Sequence, residues 1–214
     1  FISSVEEANT KVSYLVTFVD EAGEIIEVQT VGQYKNAILP TPPVKEGYTF
    51  RYWADGADNQ VTDGVQILFG ASSTDLYAVF SKNEYTVTLD ANGGKFADDT
   101  NVKANLDITF DVAYGNTLAS NVATRAHYTF VGWNTKADGT GTYYASTDLV
   151  DIAAAHTLYA IWTADTYTVN VYGWSNALVD TIMYNIETTA TEFAAELGAA
   201  TQYAKDGYTV TWPA

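Results

Sequence analysis

Cysteine is absent from the 214 residues, which removes disulfides, zinc–thiolate centres and thiol nucleophiles and leaves packing to hold the fold together. Basic residues are scarce, ten Lys and Arg against 26 Asp and Glu, for a formal net charge of −16. A surface of that sign repels phosphate backbones and anionic headgroups, so no nucleic acid is expected as a partner. It suits a soluble, self-repelling surface, and charge alone does not establish calcium binding. No apolar run approaches the roughly 20 residues of a membrane helix, so no membrane insertion is expected of this segment, and no signal peptide is visible. The polar opening Phe1-Ile2-Ser3-Ser4-Val5-Glu6-Glu7 fits a processed terminus or an arbitrary boundary equally well.

Motifs of chemistry are missing too: there is no Walker loop, no Gly-x-Gly-x-x-Gly and no His-Glu-x-x-His. The two histidines, His127 and His156, each stand just before an expected strand without a nucleophile–base pattern, and read as surface or loop residues. No catalytic residue and no cofactor is assigned, and an enzyme is not expected. The acidic runs Asp55-Gly56-Ala57-Asp58-Asn59, with Asp63-Gly64 beyond, and Ala97-Asp98-Asp99-Thr100-Asn101 lack the alternating ligands and distal Glu of a calcium loop. Polar turn chemistry accounts for them, and no metal is assigned.

What the chain does have is aromatic: 16 Tyr, 9 Phe and 5 Trp, with 47% hydrophobic and only 17% charged residues. With many Thr and Val, that mixture favours half-buried β surfaces rather than disorder.

The chain also matches itself. Gly47-Tyr48-Thr49-Phe50-Arg51-Tyr52-Trp53 returns as His127-Tyr128-Thr129-Phe130-Val131-Gly132-Trp133, 80 positions on, and Asp75-Leu76-Tyr77-Ala78-Val79-Phe80 returns as Thr157-Leu158-Tyr159-Ala160-Ile161-Trp162. Each unit opens with a β-patterned run starting at Tyr14, Tyr85 or Tyr167. After the first two come expected turns at Glu21-Ala22-Gly23-Glu24 and Ala91-Asn92-Gly93-Gly94, the second with the Asn and Gly of a tight hairpin.

Period-2 alternation puts Leu76, Ala78 and Phe80 on one face, and Leu158, Ala160 and Trp162 likewise, in what look like central strands. Trp53 and Trp133 fall on the parity opposite to their Tyr residues, so a bulge or a strand end near them is expected to turn the indoles into the core. The crossover before each Tyr-Thr-Phe strand reads as a short helix or irregular segment. In the third unit Thr189-Ala190-Thr191-Glu192 fits a capping box, followed by Phe193, Leu197, Ala200 and Ala204 at helical spacing with Gly207 as a stop, about three turns. Strand, strand, helix, strand, strand is the order of a β-grasp module.

The combination of Asp90-Ala91-Asn92-Gly93-Gly94, Tyr114-Gly115-Asn116-Thr117-Leu118, Tyr128-Thr129-Phe130-Val131-Gly132-Trp133-Asn134-Thr135-Lys136-Ala137-Asp138-Gly139 and Leu158-Tyr159-Ala160-Ile161-Trp162 resembles the Listeria-Bacteroides repeat, the internalin B-repeat. The resemblance is strong over 85–162 and weaker over 14–80. It implies a β-grasp-like fold in secreted, multi-repeat bacterial surface proteins that serve as stalks and adhesive spacers.

The expected architecture is therefore α+β and β-rich: an N-terminal arm (1–11), β-grasp-like repeats at 12–82 and 83–164 joined by short linkers into a semi-rigid rod, and a partial third repeat at 165–214. In the third, Gly207-Tyr208-Thr209-Val210-Thr211-Trp212 has no Leu-Tyr-Ala strand after it. Either the unit is cut short, or its last strand comes from residues 1–11 of another copy, which would build a head-to-tail fibre by strand addition. The expected role is a non-enzymatic, extracellular cell-surface stalk, adhesin or fibre subunit whose partners are other protein chains. The alternative is a carbohydrate-binding module using exposed aromatics, with glycans as partners. Trp53, Trp133, Phe80 and Trp162 recur with the repeat and read as core. Tyr143 and Tyr144, in a Gly-flanked loop without an evident counterpart, are the candidate contact residues.

Overall fold

A computed structural model describes residues 13–32, 35–62, 74–173 and 176–198. Two compact units divide the chain: Phe1–Tyr85 with Ile108–Val112 and Leu149–Ala154, and Thr86–Asp107 with Ala113–Asp148 and Ala155–Ala214.

The first sheet comprises β1 (Ser13–Val19), β2 (Ile25–Gly32), β3 (Tyr48–Ala54), β4 (Gln60–Val61) and β5 (Thr74–Lys82), in the order β2-β1-β5-β3-β4. β1 and β2 form an antiparallel hairpin through the expected turn, where Gly23 takes φ 84 and Asp20 Oδ1 accepts from the backbone N–H of Ala22 and Glu24. β5 lies in the middle, parallel to β1 and antiparallel to β3. Its alternation decides its faces: Leu76 and Ala78 are buried, whereas Tyr77 is exposed.

The second sheet repeats this plan with β6 (Glu84–Asp90), β7 (Val102–Thr109), β8 (Tyr128–Asn134), β9 (Tyr143–Tyr144) and β10 (His156–Ala164), in the order β7-β6-β10-β8-β9. β6 and β10 are the parallel pair, with Leu89 opposite Leu158 as Phe18 is opposite Leu76. The crossover before β8 carries α1 (Asn116–Ala119), a single turn that buries Leu118.

Four differences from the sequence reading have physical causes. Each sheet gains a fifth, two-residue strand where the chain after the Trp strand returns to pair with it, at Trp53↔Val61 and Trp133↔Tyr144. The Asn92-Gly93 turn is present, with φ 47 and 87, but does not join the strands directly. After it Lys95 bridges to Thr124, and the chain rejoins β6 only at Ala91 N–H to Asn101 O. The stretches read as linkers are mostly strand: β5 runs to Lys82 and β6 begins at Glu84.

The fourth difference is in the third unit, where β11 (Tyr167–Tyr172) and β12 (Leu178–Tyr184) pair antiparallel and α2 (Ala190–Leu197) follows. The capping box is as expected: Thr189 accepts from Glu192 N–H, and Glu192 accepts from Thr189 N–H at 2.8 Å. The helix is shorter than its periodicity suggested, because Gly198 at φ 67 ends it after Leu197. The 1–11 arm and Gly207–Trp212, on which the strand-addition expectation rests, lie outside the described residues.

The expected bulges are there. Phe50 and Tyr52 pair with Phe80 and Val79, leaving Arg51 as the extra residue, and Phe130 and Gly132 pair with Trp162 and Ile161, leaving Val131. One extra residue shifts parity by one, so Trp53 and Trp133 turn inward and are 2% and 3% exposed. Trp53 packs edge-on to Phe18 at 5.0 Å within a core of Val16, Val31, Leu76 and Ala78. Trp133 stacks on Phe96 at 6.1 Å and meets Phe130 edge-on at 5.4 Å.

Candidate functional site

Two of the residues singled out by sequence, Tyr143 and Tyr144, form β9 rather than a loop, and the strand is held in place by one buried side chain. Asn134, fully buried at the end of β8, accepts through Oδ1 from the N–H of Lys136 (2.9 Å) and Gly141 (3.1 Å). Its Nδ2 donates to the carbonyls of Gly139 (3.3 Å) and Gly141 (3.2 Å). Asn134 thus stitches the 135–142 turn to β8 with both ends of its amide. Asp138 closes the tip by accepting from Thr140 N–H and Oγ1, and these bonds hold its carboxyl below the usual range.

Strand alternation then separates the two tyrosines. Tyr144 points inward, 8% exposed, edge-on to Tyr114 at 5.3 Å, while Tyr143 points outward and is 47% exposed. Tyr144 is a core residue in position, and Tyr143 alone offers a ring to solvent. Register supplies the counterparts that sequence comparison did not reveal: Gln60 pairs with Ala54 as Tyr143 pairs with Asn134, and Val61 with Trp53 as Tyr144 with Trp133.

Tyr143 borders an open cleft of about 370 Å³ between α1, β8 and β9, lined by Val122, Val131, Gly132, Tyr143, Ser146 and Asp148 together with the buried Tyr144 and Trp133. The lining is mainly apolar, with one carboxylate and one serine hydroxyl, and none of its residues is cationic.

The histidines are placed differently from one another. His127 is exposed, at φ 66, and its Nδ1 lies 2.9 Å from Tyr167 Oη. His156 is not a loop residue: it begins β10, half-buried, with Nε2 2.7 Å from the hydroxyl of buried Tyr114. A lone histidine gives no sequence signal for such a partner 42 positions away.

The acidic runs are polar turns. Asp55 Oδ1 accepts from the N–H of Ala57 and Asn59, both at 2.9 Å, with Asn59 Nδ2 added, and these bonds lower its pKa. Asp98 is bound by Lys103 and by Thr100, which bring its pKa to about 2. Asp63-Gly64 lies outside the described residues.

The starts of the Tyr-Thr-Phe strands carry matched polar contacts. In the first unit Tyr48 Oη donates to Asp111 Oδ2 (2.7 Å), Thr49 Oγ1 to Asn83 Oδ1 (2.6 Å), and Asn83 N–H to Gly47 O (2.9 Å). In the second, Tyr128 Oη donates to Glu187 Oε1 (3.1 Å), Thr129 Oγ1 to Asp165 Oδ1 (2.6 Å), and Asp165 N–H to His127 O (2.9 Å). Gly47 and His127 hold the same left-handed conformation, φ 76 and 66.

Comparison with known proteins places this geometry. Over 141 residues the chain is 36% identical to internalin H of Listeria monocytogenes, covering 63% of this chain and 22% of that protein. Over 165 residues it is 30% identical to a protein of Evansella cellulosilytica whose name describes a membrane protein, covering 75% of this chain and 22% of the relative. A second protein of that organism, named for a Gly-rich membrane protein, is 28% identical over 200 residues, covering 91% of this chain and 20% of the relative. The chain thus spans about a fifth of the length of these relatives. The model of the Listeria-Bacteroides repeat domain matches residues 14–79 and again 85–161, the two stretches that fold into the five-stranded sheets, and the chain belongs to that repeat family.

Proposed function

We propose that this chain is a structural segment of a bacterial cell-surface protein, a stalk or spacer built from β-grasp-like repeats that holds adhesive elements away from the envelope. The observation that carries the reading is the reuse of one frame. The same strand order, the same parallel pair, the same bulge and the same inward Trp appear twice. Several polar side chains are engaged in turns and strand starts, among them Asn134, Asp55, Asp98, Tyr48 and Asp111. A chain that uses its aromatic and polar residues in this way gains repeated folded units. Sheet order β2-β1-β5-β3-β4 with a parallel β1/β5 pair supports the β-grasp-like assignment. The named relatives support a surface location.

The test is antibody labelling of intact cells of the source organism with serum raised against this chain, compared with permeabilised cells. Labelling of intact cells that mild protease treatment removes is the expected result. Signal confined to permeabilised cells would overturn the surface assignment.

A further inference from the structure

The cleft beside Tyr143 is lined by two residues at which the second repeat departs from the first. Gly132 stands where the repeat register puts Tyr52, and Tyr143 where it puts Gln60. The exchange moves the aromatic ring from β8 to β9: the Tyr143 ring lies over Gly132, and both residues line the cleft. A Cβ on Gly132 would lie 3.5 Å from the Tyr143 ring, so any larger residue there would stand against the phenol. Neither change is needed by the frame, since the first repeat forms the same sheet order without them.

From this pair of exchanges we infer that the cleft is a binding site for a single neutral pyranose ring of a glycan. A volume of about 370 Å³ falls near the lower end of the range for small-molecule sites, about 300–1,000 Å³. A pyranose is amphipathic in the way the cleft is: its C–H face stacks on an aromatic ring, and its hydroxyls need hydrogen-bond partners at the edge. The exposed ring of Tyr143 with Val122 and Val131 supplies the apolar contact, and Asp148 and Ser146 supply the polar edge. Charge selects among sugars. Asp148 is exposed, no lining residue is cationic, and the chain carries −16, so sialic and uronic acids are repelled and neutral hexoses or N-acetylhexosamines are favoured. The site stands apart from the scaffold role, which could fail while the cleft still binds.

The experiment is an amide-resolved NMR titration of the full chain with neutral hexose and N-acetylhexosamine tetrasaccharides, with a sialylated tetrasaccharide as the charged comparison. Shifts confined to Gly132, Tyr143, Ala145, Ser146 and their neighbours, saturating with a neutral sugar and at least tenfold weaker with the sialylated one, are expected. Tyr143→Gln, which installs the first repeat's own residue, is expected to weaken binding at least tenfold with an unchanged melting temperature. Gly132→Tyr sets a side chain against the Tyr143 ring and is expected to weaken binding by displacing it, and Tyr143→Phe to retain most of it. Absence of localised shifts with every neutral sugar at tens of millimolar, or full binding by Tyr143→Gln, would overturn the assignment.

Discussion

The Tyr48 hydroxyl donates to Asp111 Oδ2 at 2.7 Å while Lys82 Nζ holds the same carboxylate at 2.9 Å, so one aspartate on the turn after β7 gathers two donors from the strands β3 and β5. Asp111 itself sits at φ 54, a left-handed conformation that an Asp tolerates better than most residues. The contact is solvent-accessible, which limits its strength in salt. Its pH behaviour is nevertheless distinctive.

The Tyr48 hydrogen bond, followed by Lys82, holds the Asp111 carboxyl below its ordinary value, and the bond to Asp111 pushes the Tyr48 hydroxyl above its own. A lowered carboxyl stabilises the fold above its unfolded value of about 4 and loses that contribution as pH falls through the folded value. A raised phenol stabilises below about 10 and loses its contribution as pH rises through the folded value. The melting temperature of Tyr48→Phe is therefore expected to fall below that of the natural chain between about pH 4 and 10, with the gap closing on both sides. A gap independent of pH would show that the substitution does not act through the Tyr48–Asp111 hydrogen bond.

Trp53 and Trp133 test the bulge. Each fills the centre of its sheet's core because one extra residue, Arg51 or Val131, turns it inward. Trp53→Ala and Trp133→Ala are each expected to cost about 3–5 kcal/mol by chemical denaturation, the range for emptying an aromatic core position. A similar cost at both positions would express the shared geometry. A cost under about 1 kcal/mol at either would mean that the indole is not part of a tightly packed core.

These elements also show what a single sequence can and cannot carry. The inward Trp was legible because the break in parity is written locally in the Tyr-to-Trp spacing, and the capping box because its two partners are three residues apart. The end of α2 is not legible in this way, since Ala200 and Ala204 continue the helical period in the sequence, while Gly198 at φ 67 ends the helix after Leu197. The two-residue strand β9 has too few residues to show any alternation, and only its pairing with Trp133 and Asn134 reveals that Tyr144 turns inward and Tyr143 outward. Tyr114 with His156, and Asn134 with the turn it clamps, are likewise set by folding and not by local pattern.

α2 gives a local test. Thr189→Ala removes the hydroxyl that accepts from Glu192 N–H and half of the capping box, at an expected cost of about 1 kcal/mol to the helix. Since Phe193 packs edge-on to Tyr184 at 5.5 Å, fraying should spread to the end of β12. Amide hydrogen exchange is the measurement: faster exchange at Glu192, Phe193 and Tyr184, with β8 and β10 unchanged, is expected. Uniform exchange across all of these would mean that the cap does not act locally.

Gly94 tests close packing at a turn. A Cβ there would lie 2.5 Å from Trp162 Cζ2 and 2.7 Å from the Thr124 carbonyl, and the second of these is backbone that cannot swing aside. The same indole donates through Nε1 to the carbonyls of Ala91 and Asn92 at 3.0 and 3.1 Å, so moving the ring also strains the Asn92-Gly93 turn. Gly94→Ala is expected to destabilise by about 1–3 kcal/mol, the usual cost of overpacking, with a change in Trp162 fluorescence. Trp162→Phe removes both the clash with the ring and the two hydrogen bonds. The double variant should therefore recover only part of the loss, because the Thr124 contact remains. Full recovery would assign the whole cost to the ring.

Asn134 offers the sharpest substitution of all, because one buried amide serves two donors and two acceptors of the turn before β9. Asn134→Ala leaves the N–H groups of Lys136 and Gly141 without their acceptor in a half-buried setting, for an expected loss of about 2–4 kcal/mol. Asn134→Asp keeps the acceptor and the shape but sets a carboxylate oxygen against the carbonyls of Gly139 and Gly141, where the amide had donated. Above the carboxyl's pKa it should be at least as destabilising as the Ala variant, and on acidification it should recover as protonation restores a donor. The first repeat has Ala54 at the corresponding place on β3, so Asn134 belongs to the turn and not to the common frame. Circular dichroism melts at pH 7 and pH 4 separate the possibilities. If Asn134→Asp melts no lower than the natural chain at pH 7, the four hydrogen bonds are not what holds Tyr143 and Tyr144 against β8.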